Sequence, residues 1–218
     1  MSSQEELRQL SRPEYWDGKY TDTAEDAQLH EWFRTFNELK RFLDKNLFQV
    51  HPPENNPRIL HLGSGDSTIP YDLSELGYKN QLCVDFSPVI VDRMTKRHSK
   101  AVEEGSMEWR WMDVRDMSEI PSGSIDVAFD KGTLDAMIHG TPWTIPDEVQ
   151  ENTGRYVREA LRVLKPDGHF LLITHRPVHW YSRVLDLHCK DTEWKMRYEL
   201  LNEGGGVVQY HGYILQRG

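Results

Sequence analysis

The 218-residue chain is long enough to bury the core of one α/β domain and too short for two comfortable ones. Its 26 Lys and Arg residues against 35 Asp and Glu residues give a formal net charge of −9. Because no basic cluster appears, this balance argues against binding a nucleic-acid backbone and favours a basic partner. No run approaches the roughly 18 apolar residues of a membrane span, so we expect a cytoplasmic protein without membrane contact, with the nucleus as the alternative compartment.

Cysteine and histidine usage predicts no metal site. The chain has two cysteines without metal-ligand spacing and ten histidines without a His-x-x-x-His pair. We expect both thiols to be reduced and structural. His30, His175 and His211 are interpreted as surface residues or polar contacts rather than ligands.

The N-terminal quarter is predicted to be helical. Ser3 and Glu6 have the spacing of a capping box for a short helix that ends near Pro13, and the aromatic stretch 15–20 has no helical period. Residues 25–48 predict the longest helix, since apolar side chains recur there at three- and four-residue spacing. They are Leu29, Trp32, Phe33, Phe36, Leu39, Leu43 and Leu47.

The proline-rich stretch 51–57 is interpreted as a linker between a helical lid over 1–50 and a sheet core over 55–218, within one domain. In the core, strands and helices alternate, which predicts a doubly wound, mostly parallel sheet. The predicted strands cover 58–62, 81–85, 107–112, 125–129 and 169–174, and the predicted helices cover about 68–76, 88–104, 147–164 and 178–188. The triple glycine within 202–206 predicts a hairpin, so the last strand should be antiparallel.

The most informative motif is the apolar run that ends in Gly63-Ser-Gly65. Glycines at these positions allow a tight turn after a buried strand and a close approach by a nucleotide-like ligand. A dinucleotide fingerprint also requires a third glycine, where this chain has Thr68. The motif therefore favours a nucleotide-like cofactor other than a nicotinamide or flavin dinucleotide.

The ends of the following strands carry carboxylates. Asp85 lies 20 positions after Gly65, where an acid can accept hydrogen bonds from both ribose hydroxyls, and Ser87 is the better cap for the next helix. This interpretation leaves Asp85 free for a ligand. Asp113 with Val114 could hold the amino group of an adenine and cover its ring, although an ordinary strand end is an equally good reading.

Taken in order, Leu-Gly-Ser-Gly, Val-Asp-Phe, Met-Asp-Val and Leu-Lys-Pro-Asp-Gly resemble the class I S-adenosylmethionine-dependent methyltransferases over residues 55–218. The resemblance implies a seven-stranded Rossmann-like fold. Within that group, the Tyr15-Trp16-x-x-x-Tyr20 motif, the Glu31-Trp32-Phe33 motif and the motif Asp130-Lys-Gly-Thr-Leu-Asp135 are similar to the lysine methyltransferases of elongation factor 1-alpha. The type linked to endothelin-converting enzyme is the most similar one, and Pro-Trp-Thr at 142–144 supports this choice.

The resemblance also implies roles for individual residues. The residues that would close over or contact S-adenosylmethionine are Trp16, Tyr20, Trp32, Gly63, Gly65, Asp85, Phe86, Asp113, Val114 and Lys131. Asp130 is expected to orient the substrate ammonium, and Asp135 either to assist or to cap a turn. Trp143 is expected to hold the aliphatic stem of a substrate lysine.

Two alternatives remain open from the sequence. A small-molecule N- or O-methyltransferase would have the same fold and cofactor residues, and would differ by a closed apolar acceptor pocket. A catalytically silent, cofactor-binding partner subunit is the second, although the intact glycines and carboxylates argue against it.

Overall fold

The computed structural model describes residues 4–24, 30–141, 143–189, 192–201 and 208–218. Its strands form a seven-stranded sheet in the order β3-β2-β1-β4-β5-β7-β6. Strands β1 to β5 are parallel, and β7 pairs antiparallel with both β5 and β6. The strands are β1 Ile59–Leu62, β2 Gln81–Asp85, β3 Met107–Trp111, β4 Ile125–Lys131, β5 Leu164–Thr174, β6 Trp194–Leu200 and β7 His211–Arg217. This topology confirms the predicted fold class.

Helices cover both faces of the sheet. The helices are α1 Gln4–Gln9, α2 Pro13–Asp22, α3 Phe36–Leu43, α4 Ile69–Glu75, α5 Pro88–Arg97, α6 Ser99–Glu103, α7 Thr133–Met137, α8 Asp147–Val163 and α9 Val178–Cys189. On one face, Leu60 and Leu62 pack in a cluster with side chains of α8 and α9. On the other face, Ile59 packs in a cluster with α3 and α4. Alternate residues of β1 thus enter opposite core layers, which is why this strand is apolar along most of its length.

The N-terminal helices differ from the sequence prediction in two places. The predicted helix over 25–48 is too long, because α3 begins at Phe36 and then widens into a π-helical turn over Asp44–Phe48. Glu38 accepts the Thr35 N–H at 2.8 Å and caps the helix there, and Phe33 just before it has a left-handed φ of 68°. Residues 25–29 lie outside the described residues. The aromatic stretch 15–20, predicted as irregular, lies within α2.

These differences change the extent of the lid. Helix α3 buries Leu39, Phe42 and Leu43 against the sheet, so it belongs to the core rather than to a lid over 1–50. Helix α2 packs instead beside β2 and β3, where Tyr20 joins the cluster of Cys83 and Ile90. We use the term cover for residues 4–24 and 30–33, which lie over the carboxyl ends of the strands.

The C-terminal part follows the prediction closely. Strand β5 begins earlier than expected, at Leu164, and the pairing partners of β4 skip from Leu164 to His169 across an irregularity. Strands β6 and β7 form the predicted antiparallel pair, while the glycine-rich turn lies outside the described residues. Among the helices that the structure describes, none is both long and apolar enough to cross a membrane.

Candidate active site

A cavity of about 490 Å³ opens at the carboxyl ends of the central strands, beneath the cover. Strand β1 has β2 on one side and β4 on the other, so the order of the strands reverses there. In open α/β sheets, this reversal leaves a crevice in which ligands bind. The cavity lining includes ten of the predicted site residues, namely Trp16, Tyr20, Trp32, Gly63, Gly65, Asp85, Phe86, Val114, Lys131 and Asp135.

The glycine loop after β1 forms the floor of the cavity. Gly63 and Gly65 have positive φ angles of 60° and 51°, which side-chain-bearing residues rarely adopt. A Cβ atom on Gly63 would overlap Thr133, whose Oγ1 donates to the Leu62 carbonyl at 2.7 Å. Ser64 lines the same floor, and its Oγ is buried without a hydrogen-bond partner among the described residues. The loop therefore fits a closely approaching ligand that supplies the missing partner.

Asp85 lines the cavity, as expected. It is not free of other partners, although the sequence interpretation assumed that it would be. One carboxylate oxygen accepts the Gly65 N–H at 2.9 Å, and the other accepts the Ser87 N–H at 3.0 Å. The Ser87 hydroxyl does not cap the helix, because it donates to Asp17. A carboxylate has about four acceptor positions, so two remain for a ligand's hydroxyls. Burial raises the pKa of Asp85 to about 6.

The loop after β3 departs from the prediction for Asp113. The Asp113 carboxylate is held by the guanidinium of Arg115 in a two-pronged ion pair, with Nε–Oδ1 and Nη2–Oδ2 distances of 2.9 and 2.7 Å. Asp113 is absent from the cavity lining, to which Val114 and Arg115 contribute. The structure thus keeps Val114 as a candidate contact for a ring. Direct binding of an adenine amino group by Asp113 stays a prediction, and its carboxylate is engaged by Arg115 in this structure.

The aromatic side chains of the cover lie together over the cavity. The ring centroids of Trp16 are 6.0 Å from Trp32 and 5.8 Å from Tyr20. Lys19 lies over the Trp32 ring, 4.1 Å from its centroid. A Cβ atom on Gly65 would come within 2.9 Å of the Tyr20 hydroxyl, so the cover touches the glycine loop directly.

A buried ion pair joins the cover to the sheet. Glu31 pairs with Lys131 at the end of β4, and only 10% and 6% of their side-chain surfaces are exposed. The same carboxylate accepts hydrogen bonds from the Ser67 hydroxyl at 2.8 Å and from the Thr68 N–H at 2.8 Å, just before α4. Lys131 also donates to the Trp32 carbonyl at 2.9 Å. The cover, the glycine loop and β4 are therefore held by one set of contacts.

The two carboxylates near α7 have different surroundings. Asp130 is fully buried and accepts the Thr133 and Leu134 N–H groups, each at 2.9 Å, and the Tyr156 hydroxyl at 2.6 Å. Burial raises its pKa to about 7. Asp130 is absent from the cavity lining, and its contacts cap α7. A direct role of Asp130 in orienting substrate stays a prediction.

Asp135 faces the cavity from the opposite side of α7. Its Oδ1 accepts the Thr174 hydroxyl at 2.7 Å and lies 3.3 Å from His175 Nδ1 and 3.6 Å from Arg176 Nε. Its Oδ2 is buried and has no hydrogen-bond partner among the described residues. Asp135 therefore adds a negatively charged group to the cavity lining, and one of its oxygens keeps an unused acceptor capacity that is costly to leave unpaired.

The sequence interpretation described His175 as a surface residue or polar contact rather than a metal ligand, and its side chain is 44% exposed. It did not identify the segment after β5 as part of the cavity. His175 and Arg176 line the cavity. Arg176 is buried, and its Nη2 donates to the carbonyls of Asp135 and Ile138 at 2.9 and 2.6 Å. Its position after a parallel strand was the available signal, since such positions meet at one edge of the sheet.

Trp143 is placed outside the cavity. Its ring is 79% exposed and is not part of the cavity lining. The expectation that it holds the aliphatic stem of a substrate lysine stays a prediction. Its neighbour Pro142 lies outside the described residues.

The fold and the cavity define a class I methyltransferase. A profile of the methyltransferase domain family matches residues 60–172. The chain belongs to this family, and it is an enzyme whose cofactor is S-adenosylmethionine. The residues present fit that cofactor, since the glycine floor, the open acceptor positions of Asp85 and the aromatic cover surround one cavity.

Three relatives illustrate the similarity. The chain is 35% identical over 212 residues to "EEF1A lysine methyltransferase 4" of Mus musculus, covering 96% of this chain and 77% of that protein. It is 27% identical to the human "eEF1A lysine and N-terminal methyltransferase", covering 93% of this chain and 27% of that protein. The crystal structure of the PH0226 protein of Pyrococcus horikoshii OT3 superposes with a TM-score of 0.62 at 17% identity, covering 94% of this chain and 99% of that one. The last similarity concerns the fold alone.

Proposed function

We propose that the chain methylates a lysine side chain of elongation factor 1-alpha. The similarity to "EEF1A lysine methyltransferase 4" over nearly the whole chain supports this substrate. The structural observation that carries the proposal is that Asp135, a carboxylate with one oxygen unpaired among the described residues, belongs to the lining of the cavity. A lysine ammonium donates hydrogen bonds and carries the opposite charge, so it fits this position. The net charge of −9 is compatible with a basic partner.

When bound on the glycine floor and beside Asp85, S-adenosylmethionine would supply an electrophilic methyl group for the lysine nitrogen. The protein's contribution is mainly alignment, which can be worth about 7–11 kcal/mol of the barrier. Asp135 fixes the position of the lysine nitrogen through its carboxylate. A Cβ atom on Gly63 would overlap Thr133, so this position on the floor of the cavity carries no side chain. The aromatic cover excludes water, which strengthens these electrostatic interactions.

Arg176 adds a second electrostatic effect at the same position. Its guanidinium lies 3.6 Å from Asp135 and is held by two backbone carbonyls. A fixed positive charge beside a lysine ammonium disfavours the charged form and lowers the lysine pKa. Arg176 thereby offsets part of the opposite effect of Asp135, whose negative charge favours the ammonium.

Mass spectrometry of elongation factor 1-alpha after incubation with the enzyme and S-adenosylmethionine tests the proposal directly. We expect a mass gain of whole methyl groups on a lysine. Asp135→Asn should bind the cofactor as the parent does but transfer methyl groups slowly, since the neutral amide cannot pair with the ammonium. Methylation of a small metabolite from the same extract, with no methylated lysine, would favour the small-molecule alternative.

A further inference from the structure

We propose that His175 is the proton acceptor for the substrate lysine and that Asp135 holds it in position. This inference rests on the proposed function, because it concerns the acceptor nitrogen of the same site. A lysine side chain has a pKa near 10.4 in water, so it enters the cavity as an ammonium and must lose a proton before it can attack. Asp135 and Arg176 position the lysine, and a further group is needed to accept this proton.

The geometry around His175 fits a carboxylate–histidine pair. Nδ1 of His175 lies 3.3 Å from Asp135 Oδ1, and the histidine lines the cavity. The ring packs edge-on against Phe33 of the cover, with 4.8 Å between the centroids. The Arg176 N–H donates to the Thr174 hydroxyl at 3.0 Å, and that hydroxyl donates to Asp135. These contacts fix the backbone on both sides of His175 relative to α7.

The proposal uses one tautomer of the imidazole. In this tautomer Nδ1 carries the proton on the side of Asp135, and Nε2 carries the lone pair. The carboxylate of Asp135 lies beside the ring that takes up the proton. The same division of roles between carboxylate and histidine operates in hydrolytic triads.

Charged groups of both signs surround His175. Asp135 lies beside His175 and lines the same cavity, so its carboxylate is near the positive charge before and after the transfer. Arg176 is the next residue in the chain, and its positive charge opposes the charged form of the lysine and of the histidine alike. Lys131 lines the cavity as well, but Glu31 neutralises it. The cover contributes the uncharged ring of Phe33.

The proton balance is complete without a further reactant. An N–H bond of the lysine ammonium breaks, a bond forms between that proton and Nε2, and the positive charge moves from lysine to histidine. The His175 side chain is 44% exposed, so the imidazolium can pass the proton to water. Histidine is suited to this step at neutral pH, because its charge changes between about pH 5 and 8. A carboxylate alone, with a pKa near 4 in water, would be a weaker base.

The test compares His175→Gln with His179→Gln. Glutamine can still donate to Asp135 but cannot take up a proton, whereas His179 is an exposed histidine on α9. We expect His175→Gln to lower kcat about 10²- to 10⁴-fold at pH 7, the usual contribution of a general base. Its affinity for S-adenosylmethionine and its melting temperature should remain those of the parent. The loss should shrink between pH 7 and pH 10, because the substrate lysine then loses its proton to water. His179→Gln should behave as the parent.

A second variant removes the side chain. His175→Ala should regain part of its rate when imidazole is added, since free imidazole can occupy the space and accept the proton. A kcat for His175→Gln within threefold of the parent at pH 7 overturns the proposal, as does a loss of the same size at every pH without rescue by imidazole. A parent enzyme that binds S-adenosylmethionine but leaves elongation factor 1-alpha unmethylated refutes the proposed function instead, so the two failures are distinguishable.

Discussion

Replacing Glu31 by glutamine should weaken cofactor binding by opening the cover. The amide has nearly the shape of the carboxylate, but it has one acceptor oxygen and no charge. If that oxygen keeps the contacts with Thr68, the amide group meets the Ser67 hydroxyl, and the ammonium of Lys131 loses its counter-charge. Breaking a buried ion pair by removing one partner costs about 3–5 kcal/mol when the remaining charge has no escape.

In Glu31→Gln, the charge of Lys131 can become hydrated, and this limits the size of the effect. When the cover opens, Lys131 regains water without unfolding of the sheet. The unpaired charge therefore disfavours the closed state of the cover, and we expect the free energy of cofactor binding to become less favourable by about 2–3 kcal/mol. This corresponds to about 30- to 160-fold weaker binding. The melting temperature should change little, because the core clusters are intact.

Calorimetric titration with S-adenosylmethionine measures the effect, and thermal unfolding provides the second readout. Glu14→Gln, at an exposed glutamate on α2, is the matched control and should bind as the parent does. The double variant Glu31→Gln/Lys131→Met should recover part of the affinity, since it removes the unpaired cation. Binding by Glu31→Gln within twofold of the parent would show that the ion pair does not hold the cover closed.

Three further predictions concern the core of the site. Asp130→Asn should lower the free energy of unfolding by about 2–4 kcal/mol, since the amide cannot accept from all three donors. The control Asp92→Asn, at an exposed aspartate, should change it by no more than about 0.5 kcal/mol. Equal melting temperatures for the two variants would refute the capping role of Asp130. Because the folded-state pKa of Asp85 is raised to about 6, its ionisation reduces stability as pH rises from about 4 to 6, while cofactor affinity should rise through about pH 6. A pH-independent affinity between pH 5 and 7 would contradict this. Gly63→Ala should abolish cofactor binding, because φ is 60° and the added Cβ would overlap Thr133; calorimetry with the soluble variant checks it.

Much of the fold was predictable from local sequence chemistry. The apolar run before Gly63 and the regular alternation of strands and helices specify a parallel sheet, and the triple glycine near residue 204 predicts the final hairpin. The glycine floor was also predictable, since a tight turn with positive φ needs glycine wherever it occurs. The start of α3 was missed, because the apolar period of the preceding residues outweighed the cap that Glu38 provides for Thr35.

The functional assignment of the carboxylates depended on contacts between distant residues. Asp130 and Asp135 belong to one short motif, and nothing in their spacing indicates which of them faces a ligand. The Tyr156 hydroxyl of α8 donates a hydrogen bond to Asp130. Thr174 and His175, at the end of β5, contact one oxygen of Asp135, and the other oxygen has no partner among the described residues.

The sequence by itself therefore determined the sheet, its glycine turn and the class of cofactor, because backbone geometry and strand burial are encoded within a few residues. Only the tertiary structure decided which carboxylate is available to a substrate, that His175 stands beside it, and that Glu31 ties the cover to β4. The physical reason is that a side chain's accessibility and charge are set by partners brought together in folding, and these partners are tens of residues away in the chain.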